Sequence, residues 1–201
     1  MDGLRKKEIR EKAEKITHES EKFQLIHATY AARSMIKGMV MEYYKKRFEE
    51  LSKRIVERIK NGLDIENETA EKNELLAKTK QSSFHIDVEY IDTHTEEMAR
   101  VIKVENTFVI NLPKSLALRV FKDDGTYNYE VIQKIRKLMA HELGHLILHT
   151  DELLRIESTQ GSKMLSTDEN EEEARYFADE LINLRRERND RFYKDKAYKS
   201  F

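Results

Sequence analysis

Residues 129–149 read YEVIQKIRKLMAHELGHLILH. Ile132, Ile135, Leu138, Met139, Leu143, Leu146 and Ile147 recur at helical intervals, so the spacing predicts a helix from about Tyr129 to His149. Inside it, residues 141–145 are His-Glu-Leu-Gly-His. Positions four apart on a helix lie about one turn apart on the same face. His141 and His145 can therefore aim an imidazole nitrogen at one ion. Glu142 projects beside them, placed to reach a water held by that ion. The histidines fall at the edge of the apolar face rather than in bulk water.

Two histidines do not complete a metal site. His149 is four residues further on, but eight residues of helix separate it from His141. That is a rise of about 12 Å, too far for both to contact one ion at about 2 Å. His149 reads instead as a helix C-terminal residue favoured by the negative dipole end, or as a groove residue. The next helical stretch, from about Asp168 to Arg188, opens with Glu171-Glu172-Glu173. Successive residues point about 100° apart, so one of the three is expected to face the ion. Ala174, Phe177, Ala178 and Leu181 mark the buried face by their spacing. Glu171 lies on that face, while Glu172 and Glu173 are expected to turn toward solvent or the helix side. His141, His145 and Glu171 would make a His₂Glu site with a fourth position open for water.

Upstream, residues 1–60 read as helix. Ile36, Val40, Tyr44, Phe48, Leu51, Ile55 and Ile59 form one stripe, and Asn61-Gly62 is a plausible stop. A second periodic stretch begins near Phe23, with Ile26 and Tyr30 on one face. A weaker acidic helix is expected around 65–79. At Ser83 the period changes. Phe84, Ile86, Val88 and Tyr90 alternate with His85, Asp87 and Glu89, as on a half-buried strand. Residues 99–104 and 107–112 read as two more strands, with a tight turn at Glu105-Asn106. Residues 122–126 read as a loop. Helices, then strands, then helices predict an α+β fold with a small, mainly antiparallel three-stranded sheet. The organisation reads as an N-terminal helical region (1–62), a domain carrying the chemistry (63–185) and a basic tail (186–201).

Lys and Arg total 37 against 38 Asp and Glu, which disfavours a uniformly basic nucleic-acid binder. The charge is nevertheless uneven. Residues 1–60 carry 16 basic against 10 acidic residues, a net of +6, and residues 151–180 carry 3 against 10, a net of −7. With no cysteine, a disulfide framework, a Cys-type zinc finger and a thiol nucleophile are all excluded, so any metal must be held by His and carboxylates. The first 15 residues lack an apolar segment of signal-peptide length, and no run approaches a membrane span. A soluble, cytoplasmic protein with no membrane partner is the expectation.

HELGHLILH followed by ExxAxxFA resembles the ImmA/IrrE family of zinc metallopeptidases, a gluzincin-like group. The likeness covers roughly residues 84–185 and includes a strand hairpin ending near Asn111. It implies a zincin-like core and one zinc ion per chain, held by His141, His145 and Glu171, with Glu142 as the general base. It also implies a protein substrate, a helix-turn-helix repressor of a mobile element, phage or stress response. Two positions differ from the usual family pattern. Arg175 stands where Asn often follows the motif alanine, and Leu181-Ile182-Asn183-Leu184 lacks the usual Leu-Leu-Met-Pro ending.

The function expected on these grounds is a zinc-dependent metallo-endopeptidase. Tyr127, Tyr129, Tyr176 and His149 are open alternatives for the donor to the oxyanion. The competing expectation is a non-proteolytic zinc-containing regulator that binds a protein partner through its basic N-terminal helices. Direct DNA binding through those helices is possible but not favoured.

Overall fold

A computed structural model describes residues 1–18, 25–80, 85–93, 95, 99–104, 107–155 and 167–198. Its helices are α1 (Gly3–His18), α2 (Leu25–Lys60), α3 (Glu66–Lys80), α4 (Lys114–Ala117), α5 (Tyr129–Leu148), α6 (Thr150–Arg155) and α7 (Asp168–Tyr198). Its strands are β1 (His85–Ile91), β2 (Arg100–Val104) and β3 (Thr107–Pro113), between α3 and α4. The fold is α+β, as the order of periodicities predicts.

The described residues of the N-terminal region form α1 and α2, as the helical reading expects, and α2 runs unbroken through Gly38. Phe23 lies outside the described residues, as do the side chains of Ile26 and Tyr30. The stripe on α2 buries Ile36, Val40, Tyr44 and Leu51, but Ile59 is exposed, because the last turns of α2 extend beyond the core. The helix stops at Gly62 in the left-handed region (φ 64°). There the Gly62 N–H donates to the Ile59 carbonyl and the Leu63 N–H to the Arg58 carbonyl at 2.9 Å. This is the paired closure that a glycine after a helix end permits.

The three strands lie where their alternation puts them, but the sheet is mixed rather than mainly antiparallel. The order is β1-β3-β2. β2 and β3 pair antiparallel, Val104 opposite Thr107, while β1 and β3 pair parallel, Ile86 opposite Phe108. Glu105 and Asn106 themselves, like Phe84, lie outside the described residues. The physical reason for the order is the sequence of β3. Phe108-Val109-Ile110-Asn111-Leu112 is almost continuously apolar and is buried throughout, so it takes the centre, where both faces are covered. A sequential order would have put β2 there, with Arg100 and Lys103.

One hydrophobic core joins the elements. Phe108, Ile110 and Leu112 of β3 meet Leu143, Leu146 and Ile147 of α5 and Phe177 and Leu181 of α7. Ile9, Ala13 and Ile16 of α1 and Ala32, Ile36 and Val40 of α2 belong to the same cluster. α7 continues as helix through residues 186–198. Among the described residues no helix is long and apolar enough to cross a membrane.

Phe108 is fully buried in the central strand, whereas Leu118 is 75% exposed just after α4. Phe108→Ala is therefore expected to cost about 3–5 kcal/mol by denaturant unfolding, and Leu118→Ala to stay within about 0.5 kcal/mol. Comparable losses at the two positions would contradict this core.

Candidate metal centre

The last turns of α5 carry His141, Glu142 and His145. The helix starts at Asn128, whose side chain accepts from the Val131 N–H, and its second half is buried from Met139 onward apart from the half-buried His141 and Leu148. The two imidazoles stand edge to face with ring centroids 4.7 Å apart, their Nε2 atoms separated by 3.1 Å. His145 is buried, while His141 keeps 19% of its side chain open to solvent.

The third group comes from the first turn of α7, and a glycine lets it approach. A Cβ on Gly144 would meet the Ala174 carbonyl oxygen at 3.0 Å, the Ala174 Cα at 3.1 Å and the Phe177 ring at 3.2 Å. The α5 backbone can lie this close to α7 only because residue 144 has no side chain. The crossing brings a carboxylate oxygen of Glu171 to 3.2 Å from His141 Nε2 and the other to 3.3 Å from His145 Nε2. Among the described residues, His141, His145 and Glu171 form the group able to hold an ion, with all three ligand atoms within 4.8 Å of one another.

Those spacings fit a tetrahedral cation. With bonds of about 2.0–2.1 Å, two donors on one tetrahedron lie about 3.3 Å apart. Two neutral imidazoles and one carboxylate also form a borderline-to-hard donor set of the kind zinc takes. Burial pushes His145 down to about 3, helped by His141 and His149, so it is neutral and its lone pair is free across the physiological range. Burial lowers His141 as well, against the opposing charge of Glu171.

Glu142 is 3% exposed. A backbone hydrogen bond from Val101 on strand β2 reaches its carboxyl group, while Oε2 has no hydrogen-bond partner among the described residues. Burial, with the charge of Glu171 next in importance, pushes its pKa up to about 8. A buried acceptor with one oxygen unengaged is suited to take a proton from a group entering the site.

The other candidates are sorted by the same geometry. His149 caps the C-terminus of α5, buried, with its ring centroid 5.6 Å from that of His145. It stands outside the ligand group. Burial lowers its pKa, as expected of a neutral interior ring rather than a dipole-stabilised cation. Tyr127 is exposed and packs on Phe121. Tyr129 begins α5, about 18 Å of helix rise from His141. Tyr176 lies on the α1 side of α7, with the Lys6 ammonium 5.9 Å from its ring centre. Arg175 is exposed, with one guanidinium nitrogen 4.0 Å from Glu171.

Glu172 is exposed, as expected, with the chain's amino group 3.5 Å away. Glu173 is not turned to solvent. It is 5% exposed and gripped by Arg5 of α1, which donates from Nε and Nη2 at 2.6 Å each. The periodicity of α7 marks one buried face, and a second face is covered by a helix from the other end of the chain. The signal was in α1: Arg5, Ile9, Ala13 and Ile16 are spaced as one stripe.

Residues 133–194 match the family model described as IrrE N-terminal-like domain. Over this stretch the chain is similar to the ImmA/IrrE family. The match runs from the second turn of α5 through most of α7 and so contains both histidines, Glu142 and Glu171. It bears out the resemblance carried by HELGH and ExxAxxFA and supports a metallopeptidase-type family for this stretch. No curated protein and no solved structure matches the chain.

Two outcomes follow from this geometry. Gly144→Ala should cost about 1–3 kcal/mol by denaturant unfolding, because the added methyl meets backbone rather than a movable side chain; an unchanged midpoint would remove the close crossing. Glu142 of the metal-free protein holds its proton up to about 8 against an ordinary 4.5. The folded state then binds more protons than the unfolded one, so this group's contribution to stability falls as pH rises between those values. In chelator, the stability gained by Glu142→Gln should therefore grow from pH 5 to pH 8. A gain independent of pH would mean that Glu142 is not buried as described.

Proposed function

We propose that this chain is a zinc-dependent metallo-endopeptidase that hydrolyses a peptide bond in a protein substrate. The observation that carries the reading is the triangle of His141, His145 and Glu171, 3.1–3.3 Å on its edges, with the unengaged oxygen of Glu142 on the same helix. In this reading His141, His145 and Glu171 hold one zinc ion per chain. When bound, zinc supplies a Lewis acid that acidifies water and polarises the scissile carbonyl.

The protein's own residues do the rest. Glu142 accepts a proton from the attacking water and passes it to the leaving amine nitrogen, as a general base and then a general acid. Its burial keeps that proton from bulk solvent, and the hydrogen bond from Val101 holds the carboxyl group in place. A cation bound beside it would favour its ionised form and counter the effect of burial. β2 is an edge strand whose Val101 touches Glu142, so an extended peptide added to that edge would run past the site. The half-open His141 side supplies the entry.

Within the same proposal the substrate is a helix-turn-helix repressor and the setting is cytoplasmic; both rest on the family resemblance. The alternative, a zinc-containing regulator that cleaves nothing, accounts less well for Glu142. A purely structural site needs no base, and its fourth position is usually closed by a protein ligand.

Purified protein should take up close to one equivalent of zinc, measured by elemental analysis, and His145→Ala should lose it. Glu142→Gln should keep the zinc and lose about 10²–10⁴ in the rate of repressor cleavage, scored by fragments on co-incubation. Cleavage by the Gln variant at the wild-type rate would remove Glu142 from the mechanism. Zinc uptake without fragments from any repressor encoded near the gene would favour the regulator.

A further inference from the structure

The mechanism makes no use of the buried junction of α1, α5 and α7. Arg5 meets Glu173 with two parallel hydrogen bonds of 2.6 Å, the fork geometry that fixes orientation as well as distance. Its remaining nitrogen donates to Glu8 at 2.8 Å, and Glu8 in turn takes Lys12 at 3.1 Å, so the guanidinium is itself held. The Met1 amino group lies 3.5 Å from Glu172, and Arg10 lies 3.7 Å from Glu180. Between these polar contacts, Ile9, Ala13 and Ile16 of α1 are buried to within 1%. α1 is thus laid along the first turns of α7, on a different side from α5.

Glu173 is two residues from Glu171. The helix that carries both is fixed in rotation from two sides, by Ala174 and Phe177 against Gly144 and by Glu173 against Arg5. Rotation matters at this site. A side-chain tip about 5–6 Å from a helix axis moves about 1 Å for a turn of 10°. Metal–ligand distances tolerate about 0.2 Å. Glu173 Oε2 also lies 3.9 Å from His149 Nε2, so the same pair borders the end of the helix that carries both histidines.

We propose that Arg5 is a positioning residue for the metal centre: through its fork on Glu173 it sets the rotation of α7 and so presents Glu171 to His141 and His145. α1 is then part of the frame of the site, although it lies outside the stretch that matches the family model. The inference rests on the reading of His141, His145 and Glu171 as zinc ligands.

The test compares wild type with Arg5→Met, which keeps the stem and removes the fork, and Arg5→Lys, which keeps the charge alone. Leu51→Ala is the control, a core truncation in α2 that lowers stability without touching α7. Each is checked for folding by circular dichroism. Zinc affinity is then measured by competition with a chromophoric chelator, and the visible spectrum is recorded after loading with Co²⁺. Arg5→Met should weaken zinc binding by about 10–100-fold, as loss of a supporting contact around a ligand does, and should alter the cobalt bands. Arg5→Lys should fall between, and Leu51→Ala should bind zinc like wild type. Arg5→Met leaves a buried carboxylate unpaired; if it does not fold, Arg5→Met/Glu173→Gln, neutral on both sides, carries the same test with the same expected loss. Wild-type affinity and an unchanged cobalt spectrum in a folded fork-less variant would overturn the role of Arg5 alone. Absence of zinc binding in wild type would overturn the ligand reading and this inference with it. Equal weakening in Leu51→Ala would reduce Arg5 to general stability.

Discussion

At Gly144 the backbone of α5 lies so close to α7 that one methyl group would sit 3.0 Å from the Ala174 carbonyl oxygen. The rest of the site depends on that approach. The i, i+4 spacing aligns two imidazoles on α5 without help from the fold, but two neutral nitrogens make a poor trap for a cation. The anionic third group stands on another helix, and the separation of the two axes decides whether its carboxylate arrives within 3.3 Å of the histidines or stays out of reach. The glycine within the HELGH motif therefore has a packing role apart from the chemistry of its neighbours. The sheet has a complementary one: β3, buried on both faces, is the floor on which α5 rests, and β2 brings Val101 to Glu142.

The interior carries an unusual electrostatic load. Glu142, Glu173, His145 and His149 are all 5% exposed or less, within two helices and the residue that caps one of them. Each burial has its own resolution. Glu173 stays charged because Arg5 meets both of its oxygens, which holds its pKa below the ordinary carboxylate range. The histidines lose their protons, since burial disfavours the cation. Burial, with the charge of Glu171 beside it, raises the pKa of Glu142 against the opposing backbone hydrogen bond from Val101. Without a cation the site is thus destabilising, and a bound ion would stabilise the folded state by binding it alone. Groups left in this condition concentrate at functional sites.

How much could be read from the sequence depended on whether the information was local. The histidine pair is a matter of helical spacing, and Glu171 followed from its place on the face of Ala174 and Ala178. The strands followed from alternation. What escaped depended on long-range choices. The sheet order turned on which strand would be covered on both faces, and a hairpin reading of neighbours in sequence misses a strand inserted between the other two. The burial of Glu173 is set by a residue 168 positions away, so a single-face reading of α7 turned it outward. Short α6, at the start of the acidic stretch 151–180, left no stripe long enough to register.

The most direct test is a crystal structure of the zinc-loaded protein with anomalous data across the zinc absorption edge. The account predicts one peak per chain, about 2.0–2.2 Å from Nε2 of His141, Nε2 of His145 and a carboxylate oxygen of Glu171, with Glu142 beside it but not bonded to it. Zinc bonded to His149 or Glu173 in place of Glu171, or bound away from the two histidines, would contradict it.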